Sequence, residues 1–341
     1  MMKDIKHINK TTTTKKISII IITFLILLFV SMLSIRLGVK NIHIKTILEA
    51  LFQYDAHNDS HLIIMNLRIP RILTGLMVGA AFSVSGAIMQ GMTRNPMASP
   101  SLLGINAGAG FGLAVAMAFV PAATYNVVII YSFLGAACAT ALIYGVSSVQ
   151  KQGSTPLKLA LAGSAITVLF SAFSQALAIV FHMSQELTFW NAGGVSGARW
   201  EQVKLVCPWI VSGLILSIGL SKSITILSLG EEVAINLGEK TERIKKKGMV
   251  LVLILTGASV AIVGPVSFVG LIIPHIARFF MGTDYKWVIP YSMLLGGLLI
   301  ILADILARIV NPPFETPLGA ITAVIGVPFF LYLATNSKGG K

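Results

Sequence analysis

Charged residues are scarce in this chain of 341 residues: only 11% are Asp, Glu, Lys or Arg, whereas 55% are apolar. The acidic residues number 13, against 26 Lys and Arg. A soluble domain needs roughly 25% charged residues to cover its surface. A surface that faces lipid needs almost none, and the mean hydropathy of +0.84 fits such a surface. The composition therefore excludes a soluble protein and indicates an integral membrane protein.

Cysteine is nearly absent, and so are the motifs of enzymes. The two cysteines, Cys138 and Cys207, lie far apart in apolar stretches, a spacing that predicts neither a metal site nor a disulfide. No HExxH, CxxC, Gly-x-Ser-x-Gly or Walker A sequence occurs; LGEKT at 237–241 lacks the first glycine and the Gly-Lys order of a phosphate-binding loop. We therefore expect no enzyme site, metal or cofactor on this chain. If ATP drives the protein, another chain must bind it.

Acidic residues are scarcer still inside the apolar runs, where Asp304 is the one placed well within a predicted span. Ion-coupled secondary carriers usually need several ionisable groups in the membrane. Asp304 precedes Arg308 by four residues, so the two side chains can pair on a helix. The scarcity argues against a secondary carrier, which stays open as an alternative.

Long charge-free runs divide the chain into about ten predicted membrane helices, each close to the ~20 residues that cross hydrocarbon. A cleaved signal peptide is the alternative for the first run, but such a peptide usually has an apolar region of about 7–15 residues followed by a small-residue cleavage site. Here Arg36 follows directly. The spans are predicted at 17–35, 72–93, two within 95–150 turning near Pro121, 159–185, 205–221, one span and a short helix within 248–277 broken at Gly264–Pro265, 287–308 and 316–337.

The distribution of basic residues predicts the orientation. With the N-terminus inside, 18 of the 26 Lys and Arg lie on the cytoplasmic side and 8 lie outside, which favours two cytoplasmic termini. The net charge of +13 therefore reflects membrane topology and not a nucleic-acid partner. We predict a basic N-tail at 1–16, one transmembrane domain at 17–337 and a short C-tail at 338–341.

Small residues recur at every fourth position of the second predicted span. Such stripes let helix backbones approach each other where no hydrophobic effect drives association. We therefore expect this helix to pack closely on its neighbours through Gly75, Gly79, Ser83, Ala87 and Gly91.

The segment 222–247 is the longest and most charged predicted cytoplasmic loop. Gly230 and Gly238 enclose the pattern EEVAINL, whose apolar residues have helical spacing. A short amphipathic helix between glycines suits docking into a groove of a soluble partner. The alternative, a basic loop that only satisfies topology, explains the run Lys245 to Lys247 but not the acidic start.

Two arginines, Arg68 and Arg71, directly precede the second span in the string NLRIPR. Pro70 suits a helix start. Positive charge at that end opposes the helix dipole, so the stability of this helix does not explain them. They either anchor the helix at the membrane interface or bind acidic groups of a partner.

Four long strings resemble the permeases of iron–siderophore and vitamin B12 ABC importers, the type II family. They are RIPRILTGLMVGAAFSVSGAIMQGMTRNPMASPSLLGINAGAG (68–110), LSLGEEVAINLG (227–238), GPVSFVGLIIPHIARFFMGTDYK (264–286) and ILADILARIVNPPFETPLGAITAVIGVPFFLYL (301–333). The resemblance extends from about residue 17 over nearly the whole chain. It departs mainly in the N-tail and in the polar stretch 53–61.

The resemblance implies a ten-helix permease in a bacterial cell membrane that dimerises around a central pathway with an identical or paralogous permease. Two ATP-binding-cassette subunits, holding ATP and Mg, and an extracellular substrate-binding lipoprotein are its implied partners. The implied cargo is an iron(III)-siderophore, most readily of the hydroxamate type, with haem and vitamin B12 as alternatives.

The resemblance also implies roles for individual residues. Arginines 68, 71 and 308 match positions that dock the binding protein, and the gate to the cytoplasm matches Asn95, Met97, Ser154 and Thr155. Coupling to the ATPase matches the segment that contains Gly230, Glu231, Glu232, Val233, Ala234, Leu237 and Gly238.

Overall fold

The computed structural model describes residues 2–38, 42–148, 156–312 and 314–336, and within these ranges the regular structure is entirely helical. In lipid every backbone N–H and C=O must be paired within the segment, which a helix achieves. The α-helices are α1 (Met2–Arg36), α2 (Ile44–Phe52), α3 (Asp59–Ile63), α4 (Ile69–Thr93), α5 (Ile105–Phe119), α6 (Tyr125–Ser148), α7 (Pro156–Val180), α8 (Ser184–Ala192), α9 (Trp200–Leu229), α10 (Glu231–Asn236), α11 (Thr241–Val263), α12 (Val269–Met281), α13 (Tyr285–Ile309) and α14 (Leu318–Asn336).

Seven of the described helical segments are long and apolar enough to cross a membrane, and three shorter apolar helices accompany them. The shorter ones are Ile105–Phe119, Val269–Met281 and Leu318–Leu333. Each of the predicted runs coincides with one of these segments, including the break at Gly264, where α11 ends and α12 follows. The all-helical membrane class is confirmed. The count of ten spans and the cytoplasmic position of both termini stay predictions.

The helix α4 lies at the centre of the bundle and packs against α1, α9, α11, α12 and α13. The span that contains it is 83% buried, whereas that of α1 is 22% buried and exposes a wide apolar surface suited to lipid. Close backbone contacts hold it in place: a Cβ on Gly79 would overlap the carbonyl of Gly296, and one on Gly86 would overlap that of Gly270. The close packing predicted from the small-residue stripe is therefore confirmed at Gly79. Gly86, which is not part of the stripe, makes a further close contact.

The long helices extend further into the charged regions than the charge-free runs predict. The helix α1 is already helical from Met2, within the predicted N-tail, and α9 continues to Leu229. Because α11 begins at Thr241, only 230–240 of the predicted loop 222–247 lies outside the two long helices. The physical reason is that charge marks where hydrocarbon ends, while a helix continues into the polar zone until a residue such as Gly230, at φ 139°, stops it.

Candidate functional site

Three arginines and two acids meet at the end of the bundle where α4 begins, and we call Arg68, Arg71, Asp304, Arg308 and Glu315 the arginine cluster. Arg71 donates from Nε and Nη2 to Asp304 Oδ1 at 3.0 and 2.7 Å. Its Nη1 donates to Glu315 Oε1 at 2.7 Å, and its Nη2 also reaches Oε2 at 3.1 Å. One guanidinium thus binds two carboxylates, each in the two-point geometry that makes such pairs strong.

Asp304 forms a second ion pair with Arg308, whose Nη2 lies 3.0 Å from Oδ2. The helical spacing predicted this pair, and the structure confirms it. The carboxylate is only 2% exposed and lies between two guanidiniums. Because its charge is balanced by fixed arginines, Asp304 is not suited to a proton relay, which supports the argument against a secondary carrier.

Arg68 and Arg308 both hold the end of α1. Arg68 donates from Nη1 to the carbonyls of Ile35 and Arg36, the latter at 3.1 Å. Arg308 donates from Nη1 to the carbonyl oxygens of Ser34 and Leu37 at 3.1 and 2.7 Å. These carbonyls lack partners within α1, and positive charge is favourable at that end of a helix. The arginines that oppose the dipole of α4 therefore complement the dipole of α1.

The burial of the three arginines bears on their predicted docking role. Arg68 is 8% exposed, and the side chains of Arg71 and Arg308 are 14% and 10% exposed. All three already have partners within the chain. The role of these arginines in docking a binding protein stays a prediction, and any approaching acid must compete with those partners. Glu315 was not among the predicted site residues, although it stands in PFETP, within a string that resembles the family.

The segment 230–238, which we call the coupling segment, contains the predicted short helix as α10. Gly230 and Gly238 both have positive φ, 139° and 82°, which glycine adopts without a steric cost. Ala234 is buried against the chain, while Val233 and Leu237 are 43% and 62% exposed. Of these three apolar residues, Ala234 packs against the rest of the chain, and Val233 and Leu237 remain at the surface.

The two glutamates of the coupling segment have different surroundings. Glu231 accepts from Lys245 Nζ at 2.7 and 2.9 Å and from Thr241 Oγ1 at 3.3 Å, both on α11. The hydrogen bond from Lys245 lowers the pKa of the Glu231 carboxyl, and its positive charge adds to the effect against the cost of partial burial. Glu232 is exposed. Lys245, which the sequence analysis assigned only to topology, is therefore the partner of the acidic start.

The predicted gate residues are only partly within the described structure. Asn95 follows Arg94, which ends α4 in a left-handed conformation, and its Oδ1 accepts from the backbone N of Met97 at 2.9 Å. Ser154 and Thr155 lie outside the described residues, so their place at the gate stays a prediction. Arg94 Nη1 lies 3.6 Å from the position that a Cβ on Gly230 would take. The start of the gate thus lies beside the coupling segment.

The arginine cluster and the coupling segment lie at opposite ends of α4. The 25 residues of α4 give a length of about 37 Å at 1.5 Å per residue, enough to cross the hydrocarbon core. Among the described residues, no group of three or more His, Cys, Asp or Glu could hold a metal ion. The two groups of residues are therefore separated by the length of α4 within one packed bundle.

The chain matches known proteins over nearly its full length. The model of the FecCD transport family matches residues 26–336. The iron(3+)-hydroxamate import system permease protein FhuB of Bacillus subtilis (strain 168) is 47% identical over 336 residues, 98% of this chain and 88% of that protein. The Fe(3+)-citrate import system permease protein YfmD of the same organism is 40% identical over 98% of this chain and 99% of its own length.

A solved structure gives the same answer at the level of the fold. An inward-facing metal-chelate type ABC transporter superposes with a TM-score of 0.82 at 28% identity, covering 94% of this chain and 99% of that one. The range 26–336 that the family model matches contains the arginine cluster, the coupling segment and the predicted gate residues. This chain belongs to the FecCD transport family and is a membrane-embedded transport subunit, not an enzyme.

Proposed function

We propose that this chain is the permease of an ABC importer that moves an iron(III)-siderophore, of the hydroxamate type, into the cytoplasm. The observation that carries the proposal is the 47% identity over 98% of the chain to a permease named for iron(3+)-hydroxamate import. The absence of an ATP site from the sequence fits a subunit whose energy comes from another chain. ATP and Mg then belong to the partner ATPase, and this chain carries no cofactor.

The proposed assembly has two permeases, identical or paralogous, two ATPase subunits and an extracellular binding lipoprotein. The loaded binding protein places acidic residues on the arginine cluster, where Arg68, Arg71 and Arg308 converge. Charged pairs of this kind steer encounter and fix orientation more than they add affinity. The ligand then enters between the two permeases.

ATP-driven closure of the ATPases acts on the coupling segment at the other end. Val233 and Leu237 supply the exposed apolar contacts for a groove on the ATPase. The coupling segment is continuous with α9 and α11, and both of these pack on α4, which ends at the gate. A displacement at α10 therefore reaches Asn95 through packed helices rather than through a flexible loop.

The paucity of charge in the spans suits a large chelate. A pathway with strong charged sites would retain such a ligand, whereas an apolar one lets it leave. The chemistry of recognition then belongs to the binding protein, and haem and vitamin B12 remain the alternatives within the family. A secondary carrier is disfavoured because Asp304, the acid predicted within a span, is neutralised by Arg71 and Arg308.

Uptake of radioactive cargo, labelled with iron or, for vitamin B12, with cobalt, tests the proposal. Cells that lack this chain are compared with the same cells carrying it, each supplied with iron as a hydroxamate siderophore, as citrate, as haem, or supplied with vitamin B12. We expect the chain to restore only the hydroxamate uptake, and an ATPase partner without its Walker lysine to abolish it. Restored uptake of iron citrate, haem or vitamin B12 alone would mean that the proposed ligand is wrong. Uptake that persists without the ATPase would overturn the ABC mechanism.

A further inference from the structure

Arg71 binds two carboxylates that differ in burial, in local structure and in the number of arginines that hold them. Asp304 lies within α13, is 2% exposed and is held by Arg308 as well. Glu315 lies in the irregular segment between α13 and α14, and its side chain is 38% exposed. A buried carboxylate between two arginines is costly to remove, whereas an exposed one is readily exchanged with solvent. Asp304 is therefore the fixed partner and Glu315 the exchangeable one.

Glu315 accepts hydrogen bonds from Nη1 and Nη2 of Arg71, and Asp304 shares Nη2. Nε points to Asp304 alone, while Nη1 points to Glu315 at 2.7 Å. A cavity of about 160 Å³ opens at this place, lined by Arg71, Asp304 and Glu315 together with residues 192–196 and 316–318. When Glu315 turns toward solvent, Nη1 loses this acceptor, and Arg71 lines the cavity with a donor to offer.

The charges of the cluster balance differently in the two arrangements. With Glu315 in place, three arginines face two carboxylates; without it, they face Asp304 alone. An incoming carboxylate that takes the place of Glu315 makes the same two hydrogen bonds and restores the same charge. The exchange thus costs little in either direction, which suits a contact that must form and break in each transport cycle.

We propose that Glu315 is an internal occupant of a carboxylate-binding site on Arg71, and that a carboxylate of the external binding protein displaces it on docking. The inference rests on the proposed function, because it takes the binding protein as the source of the acid. With an internal competitor, the apparent association constant is the intrinsic one multiplied by the fraction of time that the site is open. The apparent affinity is therefore lower. Removing the charge of Glu315 then strengthens docking, the opposite of what loss of a direct contact would do.

The test measures affinity and dissociation rate of the soluble binding protein on the full transporter, with its ATPases, in lipid nanodiscs. The variant Glu315→Gln keeps the size and removes the charge. We expect it to bind about two- to fivefold more tightly than the wild type, since exposed ion pairs are worth a factor of this order. The control Glu201→Gln changes an exposed acid at the start of α9 and leaves the affinity unchanged.

A second pair of variants separates this proposal from the proposed function. Arg71→Gln is expected to weaken docking, and Glu315→Gln added to it is expected to have no further effect, because the site is gone. If Arg71→Gln weakens docking but Glu315→Gln leaves it unchanged or weakens it, the internal occupant is refuted while docking on Arg71 stands. If Arg71→Gln leaves docking unchanged, docking on this arginine is itself refuted.

Discussion

The carboxylate of Glu231 and the ammonium group of Lys245 join α10 to α11, with Nζ 2.7 and 2.9 Å from the two carboxylate oxygens. A helix of six residues has too few internal hydrogen bonds to be stable alone. This contact, with that of Thr241, therefore sets the orientation of the coupling segment. The adjacent Glu232 makes no such contact in the described structure.

Glu231→Gln is expected to lower ATP-dependent uptake about two- to fivefold, because a partly exposed salt bridge is worth up to roughly 1 kcal/mol. Glu232→Gln, one residue away and exposed, is the matched control and is expected to stay near the wild type. Uptake and ATP hydrolysis are measured together at equal membrane levels, so that loss of coupling is distinguished from loss of protein. The exchange Glu231→Lys/Lys245→Glu is expected to restore part of the uptake. Equal loss from both single variants would contradict the positioning role.

The effect of Glu231→Gln is expected to be independent of pH in the ordinary range. Lys245 holds the pKa of the Glu231 carboxyl below its usual value of 4.5. A lowered folded pKa means that the contribution is complete above the unfolded value and is lost only as pH falls through the folded one. The ratio of wild-type to Glu231→Gln uptake should therefore stay constant between about pH 5.5 and 7.5, a range above both pKa values. A ratio that approaches one toward the acidic end would contradict this assignment.

Asp304→Asn is expected to destabilise the permease by about 3–5 kcal/mol, since it leaves the buried Arg308 without a carboxylate and Arg71 with Glu315 alone. Denaturant titration of the purified chain in lipid bicelles measures the change. Glu49→Gln, which breaks an exposed pair with Lys45 at 3.8 Å, is the control and is expected to cost less than about 1 kcal/mol. Equal costs for the two variants would mean that the arginine cluster contributes no more than a surface ion pair.

Gly86→Ala is expected to destabilise the bundle by about 1–3 kcal/mol or more, because the new methyl group overlaps the backbone of Gly270 and forces α4 and α12 apart. The same substitution at Gly219 in α9 has open space around it, with nothing within 4 Å. There the gain in helix propensity, up to about 1 kcal/mol, is expected to stabilise the chain. Opposite signs in the same denaturant titration confirm the contact, and equal signs contradict it.

The positions of the helices were predictable because the insertion of a segment into a membrane depends on its local hydropathy. The charge-free run 248–277 gave both α11 and α12, and the break at Gly264 was visible as a Gly-Pro pair. The coupling helix was also predictable, since two glycines enclose its apolar pattern in the sequence, and the structure gives both of them a positive φ. The ends of the long helices were not, because charge marks where the hydrocarbon ends but not where the helix itself stops.

The sequence by itself determined that this chain is an all-helical membrane protein, because its composition fits lipid and its long charge-free runs have the length of membrane helices. Only the tertiary structure decided which charges on different helices meet. Arg71 and Asp304 are 233 residues apart in the chain, and Glu231 chooses Lys245 over the neighbouring lysines. Such pairings depend on the distance between two helices. Close backbone contacts, such as that of Gly79 with Gly296, set this distance. The order of charges along the chain contains no information on the distance between helices. It therefore indicated the arginines as site residues but not Glu315, which binds Arg71.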